Sequence, residues 1–239
     1  MSAGDLARTM QLVPGPLLWS TVTLAAYVGA VRMQRILRGA ALANPVLIAI
    51  LMVAAIILAT RTRYQDYFGG ARFIDFLLGP ATVALAVPLA ANLRRLGGSA
   101  LAIGASLLSG ATASGVSAVG LVWLFGGSRQ VALSMAPKAT TTPIAIAVSQ
   151  QIGGIASLTA VLAILGGIIA ATVGPALLRR LRIEDWRARG LAAGVAGSGV
   201  AAAQIAVMNE TAAAFAAMGI ALNGVATALL ARLVPMIWR

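Results

Sequence analysis

Ile155-Ala-Ser-Leu-Thr-Ala-Val-Leu-Ala-Ile-Leu-Gly-Gly-Ile-Ile-Ala-Ala-Thr-Val-Gly-Pro-Ala-Leu-Leu178 contains no charged side chain and stops at Arg179, Arg180 and Arg182. At about 1.5 Å of rise per residue, a helix over this run would cross a hydrocarbon core about 30 Å thick. The pattern repeats on both sides of it. About eight apolar stretches of roughly 20 residues alternate with short basic connectors. They run from about Leu12 to Val31, Asn44 to Thr60, Phe73 to Asn92, Gly97 to Phe125, Val131 to Gln151, Ile155 to Leu178, Leu191 to Met208 and Ala213 to Val234. Of the 239 residues, 60% are hydrophobic and 10% charged, against about 25% charged in an ordinary soluble domain. Mean hydropathy is +0.93. Too few charges exist to clothe a soluble surface, so residues 1–239 are expected to form a single polytopic, all-α membrane domain.

The same composition excludes much chemistry. The chain has no cysteine and no histidine, which removes thiol nucleophiles, Cys- or His-ligated metals and a His-based triad. No G-x-x-x-x-G-K-[ST] phosphate loop occurs, and the six acidic residues form no metal cage. No metal, cofactor or catalytic residue is expected, and the protein is not expected to be an enzyme. The net charge of +12 lies mostly in the connectors, where the positive-inside bias and anionic headgroups account for it without nucleic acid. The first stretch ends rather than begins with its basic cluster, Arg32, Arg35 and Arg38, so it reads as a retained span rather than a signal peptide. Connector charge favours both termini in the cytoplasm, although a re-entrant third stretch would score the opposite orientation similarly.

Three stretches depart from plain aliphatic spans. Residues 134–143 read Ser-Met-Ala-Pro-Lys-Ala-Thr-Thr-Thr-Pro. Pro137 and Pro143 bracket Lys138, Thr140, Thr141 and Thr142, and proline removes a donor and clashes with the preceding turn. Lys138 is the single lysine of the chain, set where a buried charge is expensive unless paired or hydrated. An ammonium beside hydroxyls and freed amides at a half-helix start suits an anionic group. The alternatives are a lysine snorkelling to the interface and threonines that merely satisfy the break locally. Gly79-Pro80 with Thr82, then Pro88, forms a weaker echo in the third stretch, and Asp75 near its start is a candidate for proton coupling. Gly197, Ser198 and Gly199 in the seventh stretch make a third candidate break. Gln150, Gln151, Gln204 and Asn223 read as glue between helices. Ser134 with Lys138 is the main nucleophile arrangement left to an intramembrane enzyme, a weak reading.

Several of these motifs resemble the LrgB/CidB family of bacterial membrane proteins. They are Tyr67-Phe-Gly-Gly70, the run Leu77-Leu-Gly-Pro-Ala-Thr82 through Val87-Pro-Leu89, Pro137-Lys-Ala-Thr-Thr-Thr-Pro-Ile-Ala145, Ile152-Gly-Gly154, Ser157-Leu-Thr-Ala160 and Ala188-Arg-Gly190. The resemblance covers about residues 44–235 and extends to the plastid glycolate/glycerate transporter, whose C-terminal half is LrgB-like. It implies a multi-pass protein of the bacterial plasma (inner) membrane, in the lipid bilayer. It also implies a small LrgA/CidA-type membrane partner and possible self-association. The family typically has a G-T-x-x-H-x-x-G-T-A element where this chain reads Gly194-Val-Ala-Gly-Ser-Gly-Val-Ala-Ala-Ala203. Ser198 therefore stands at the histidine position and cannot titrate near neutral pH.

The resulting expectation is a secondary transporter of small monocarboxylates of the glycolate, glycerate or pyruvate class, built on two or three broken helices. Lys138 would neutralise the carboxylate, Thr140, Thr141, Thr142, Thr82 and Ser198 would supply hydrogen bonds, and Pro80, Pro137 and Pro143 would open the helices. The alternative is a holin/antiholin-associated regulator of murein hydrolase activity and cell lysis that moves no solute.

Overall fold

The computed structural model describes residues 16–36, 45–84 and 100–237. Among them every regular element is helical, as a chain with this apolar patterning requires. The chain packs as two compact units, residues 1–80 and 81–239.

The first unit holds α1 (Pro16–Ile36), α2 (Pro45–Ala59) and most of α3 (Tyr64–Ala84). α2 is uncharged all round and buries only Ala49 and Val53, the pattern of a helix whose other faces meet lipid. It ends where Arg61 takes a positive φ of 51° and the Thr62 amide reaches back to the Ile57 carbonyl at 3.1 Å. α1 and α3 are joined by aromatic packing and hydroxyls. Trp19 meets Tyr67 edge-on at 5.6 Å, Thr23 and Tyr67 share a hydrogen bond at 3.1 Å, and Ser20 donates to the Gly70 carbonyl at 3.0 Å. Gly70 is required by this approach, since a Cβ there would lie 2.6 Å from the Trp19 ring. Tyr64 and Phe68 remain exposed on α3, consistent with an interfacial belt, whereas Tyr67 is spent on packing.

One expectation needs correction here. The backbone of α3 is helical through Gly79 and Pro80 to Ala84, so Pro80 does not open the helix. A proline within a helix deletes a single amide donor and strains one carbonyl, and in membrane helices this is tolerated. α3 also begins nine residues before the predicted stretch, at Tyr64 rather than Phe73. Asp75 and Thr82 fall in this helix, but their side chains, and Pro88 altogether, lie outside the described residues.

The second unit contains α4 (Ala100–Leu124), α5 (Arg129–Met135), α6 (Thr142–Ile152), α7 (Ala156–Arg180), α8 (Trp186–Ala206), α9 (Glu210–Leu230), a 3₁₀ turn at Ala231–Leu233 and α10 (Val234–Ile237). α8 and α9 form the closest pair. A Cβ on Gly190 or Gly194 would overlap the backbone of Ala212 or Ala216, and one on Gly219 would sit 3.0 Å from the Leu191 carbonyl. Small residues thus let the two backbones touch, the usual means of helix association in lipid. Ile103 and Leu107 of α4, Leu191 and Val195 of α8, and Phe215 and Met218 of α9 make the apolar core of this unit.

Among the described residues, Ala100–Leu124, Ala156–Arg180 and Glu210–Met236 are long and apolar enough to cross a bilayer, and Pro45–Ala59 is a shorter apolar helix. α1, α3 and α8 have 21 residues each but carry more polar sequence. The stretch from Val131 to Gln151 divides into two short helices. The described residues are those of an all-helical membrane protein, and among them three spans, rather than all eight expected ones, stand out by length and composition.

Candidate functional site

α5 starts with Ser128 accepting from the Val131 amide at 3.4 Å and lasts seven residues. Pro137 stops it, because it has no amide for the Leu133 carbonyl. Two tight turns follow, with Lys138 N–H on the Met135 carbonyl and Thr140 N–H on that of Pro137, both at 3.2 Å. Thr141 is extended and caps α6 without its side chain, and Pro143 sits in the first turn of α6, where a missing N–H costs no intrahelical bond. Among the described residues the Thr142 and Ile144 amides meet no acceptor, and the Thr141 and Thr142 hydroxyls have no partner.

Lys138 projects from this break half-buried and donates to Ser114 Oγ of α4 at 3.3 Å. No carboxylate pairs with it among the described residues. Thr140 is 2% exposed, and its hydroxyl is buried with no hydrogen-bond partner. It faces α9, where a Cβ on Gly224 would approach Thr140 Oγ1 to 3.5 Å and Ile144 Cδ1 to 2.8 Å.

The seventh stretch kinks at Ser198, between Gly197 and Gly199. Ser198 has φ 48° and ψ −139° inside α8, a backbone region that L-residues rarely occupy. The adjoining Gly197 lies against α7, its carbonyl 3.2 Å from the place a Cβ on Gly167 would fill. Ser198 Oγ is buried and unpartnered.

One side chain connects the two irregular segments. Asn223 of α9, 1% exposed, donates both amide hydrogens: to the Ala139 carbonyl in the α5–α6 break at 3.0 Å, and to the Val195 carbonyl at 3.2 Å. Val195 stands one turn before Ser198, and its regular helical partner would be the Gly199 amide just past the kink. Asn223 thus supplies a donor to each break, the glue role expected of it, while its Oδ1 is left without a partner. Unpartnered buried polar atoms cost about 1–3 kcal/mol each. Three of them, Thr140 Oγ1, Ser198 Oγ and Asn223 Oδ1, occur on the elements that Asn223 links.

A second polar network braces the break from behind. Ser134 Oγ donates to the Gln130 carbonyl at 2.6 Å and accepts from the Ile155 amide at 2.7 Å. Thr159 Oγ1 bonds Ser149 Oγ at 2.7 Å and lies 3.0 Å from the Ser134 carbonyl. All three residues are fully buried, and Gly154 packs so tightly that its Cβ would stand 2.9 Å from the Ser134 amide. Ser134 is therefore a bolt between α5, α6 and α7, and no hydrogen bond joins it to Lys138. Isolated serines and threonines in apolar sequence carry no periodic signal, so only Ser157-Leu-Thr-Ala160, singled out for its resemblance, pointed here.

The structure thus brings Lys138, Thr140 and the Ser198 kink around shared supports and leaves Thr141 and Thr142 at the adjacent half-helix start. A half-buried ammonium, and amides and hydroxyls at a half-helix start, are each groups of the kind that bind small anions. Among the described residues no cluster of acidic side chains is arranged for a metal.

Residues 23–237 match the LrgB-like family. The chain is 31% identical over 224 residues to the antiholin-like protein LrgB of Bacillus subtilis (strain 168), covering 92% of this chain and 95% of that protein. The antiholin-like protein LrgB of Bacillus mycoides (strain KBAB4) is 29% identical with the same coverage. The uncharacterized protein YxaC of Bacillus subtilis is 29% identical over 85% of this chain and 88% of its own length. No solved structure matches.

Proposed function

The chain belongs to the LrgB-like family, and from this premise we propose that it acts as an antiholin-like regulator of murein hydrolase activity and cell lysis. The observation that carries this reading is the end-to-end match to relatives named antiholin-like, each covered over 95% of its length. The protein would work in the bacterial inner membrane as a multi-pass, non-catalytic component, with a small LrgA/CidA-type membrane protein or further copies of itself as partners. Deleting the chain from its host should raise autolysis and the hydrolase activity seen on murein zymograms. Re-expression of either the native protein or Lys138→Ala should restore both. Unchanged autolysis after deletion would remove this reading.

A second reading, transport of a small monocarboxylate, is favoured by one specific feature. Lys138 lies half-buried in a broken helix with only Ser114 as its hydrogen-bond partner among the described residues, an arrangement a passive scaffold does not need. It predicts that proteoliposomes holding the purified protein accumulate labelled glycolate or pyruvate. It further predicts that Lys138→Ala abolishes uptake without lowering membrane yield. Uptake that persists in the variant would sink it. Lys138 is dispensable in the first reading and essential in the second, so one variant separates them.

A further inference from the structure

A trough runs between α7 and α8 on the outer side of the second unit, about 320 Å³ in volume. Ile169, Val173 and Leu177 of α7 form one wall, each more than half exposed. Ala192, Ala193 and Ala196 of α8 contribute little side-chain bulk, so the trough owes its depth to small residues. It is apolar along most of its length. At one end the lining changes to Arg179, Trp186 and Arg189.

That end is built for an anion. The connector from Arg179 to Arg189 holds five arginines against Glu184 and Asp185. Asp185 is already committed to Arg187 at 3.0 Å. No carboxylate pairs with Arg179 or Arg189 among the described residues. Arg189 is held in place, its Nε on the Ile183 carbonyl at 2.7 Å and its guanidinium 5.1 Å over the Trp186 ring. A tryptophan beside arginines at the end of an apolar span marks the headgroup level of a bilayer. Planar guanidinium groups bind phosphate oxygens in pairs.

We propose that this trough is a binding site for an anionic phospholipid, its phosphate on Arg179 and Arg189 and one acyl chain along Ile169–Leu177 of α7. The charge of the rim selects the headgroup and the apolar length selects a lipid over a free phosphate. The site is independent of Lys138 and of both functional readings.

The test uses the full-length protein, stripped of native lipid in detergent. Native mass spectrometry counts bound phosphatidylglycerol and phosphatidylcholine, with inorganic phosphate as competitor. Two arginines near a lipid surface correspond to a preference of about thirtyfold for phosphatidylglycerol. Arg179→Gln, an exposed position, should cut that preference severalfold and leave phosphatidylcholine binding unchanged. Ala193→Trp should fill the trough and reduce occupancy by both lipids, with helical circular dichroism unaltered in each variant. Equal binding of the two lipids, displacement by phosphate alone, or an Arg179→Gln variant that keeps its preference would overturn the proposal. So would a dimer that Ala193→Trp dissociates, because the occupant would then be a second copy of the chain.

Discussion

Helix α7 carries Gly166, Gly167, Gly174 and Pro175 and still runs 25 residues without interruption, whereas residues 129–152 divide into helices of seven and eleven. Both regions lie in the same unit and both carry sequence that weakens a helix. The difference is in what their neighbours offer. Pro175 deprives only the Ala171 carbonyl of its regular donor, and the other turns of α7 remain bonded. In the divided segment Pro137 and Pro143 stand six residues apart, so the lost donors accumulate within two turns. Two of the carbonyls set free there are met from other helices: Asn223 of α9 donates to Ala139 and Thr159 of α7 to Ser134. A break persists where other helices hold the open groups, and a lone proline without such partners leaves the helix running. The backbone of α3 likewise stays helical through Pro80.

The contrast can be broken most directly at Asn223. Asn223→Leu removes the donor shared by Ala139 and Val195 and should destabilise the protein by about 2–4 kcal/mol, read as a lowered unfolding midpoint in detergent. Stability close to native would mean that the two irregular segments do not depend on α9. Ser198→Gly tests the second break with the opposite sign. Glycine accepts φ 48° without strain and deletes an unpartnered hydroxyl, so stability should rise by about 1 kcal/mol. A loss would show that the serine hydroxyl is itself engaged.

Pro175→Ala probes the continuous helix. It restores an amide to the Ala171 carbonyl, which belongs to a residue 2% exposed, and should stabilise by about 0.5–1.5 kcal/mol. No gain would indicate that the carbonyl is already satisfied by another route. The smallest effect is at the start of α8. Asp185 caps the helix through the Arg187 amide at 2.8 Å, and the Arg187 side chain holds its carboxyl below the usual carboxylate range. Because the folded pKa is depressed, this contribution is present above the ordinary carboxylate pKa and is lost as pH falls through the folded value. NMR titration of the Asp185 carboxyl should give a midpoint below that of an aspartate in an unstructured peptide. A midpoint above that would contradict the pairing with Arg187.

How far the sequence reached can be seen at particular residues. Segments 97–125, 155–178 and 213–234 were legible as α4, α7 and α9 because long uncharged runs leave a chain few ways to satisfy its backbone in lipid. The break at Pro137–Pro143 and the weak point at Ser198 were legible because proline and clustered glycines act on the backbone locally. Pro80 misled for the same reason: its local effect is real, but whether it parts a helix depends on neighbours. Asn223 was recognisable as helix glue, but not that its one amide would serve both breaks. Ser134, Ser149 and Thr159 gave no composite signal, since residues 25 positions apart meet only after α5, α6 and α7 have packed. Composition and apolar run lengths by themselves determined a helical membrane protein, and paired prolines marked its broken, lysine-bearing segment. Which carbonyls found donors, which hydroxyls were left without partners, and where two helices opened a basic-ended trough were decided only by tertiary packing, because each depends on a partner distant in the chain.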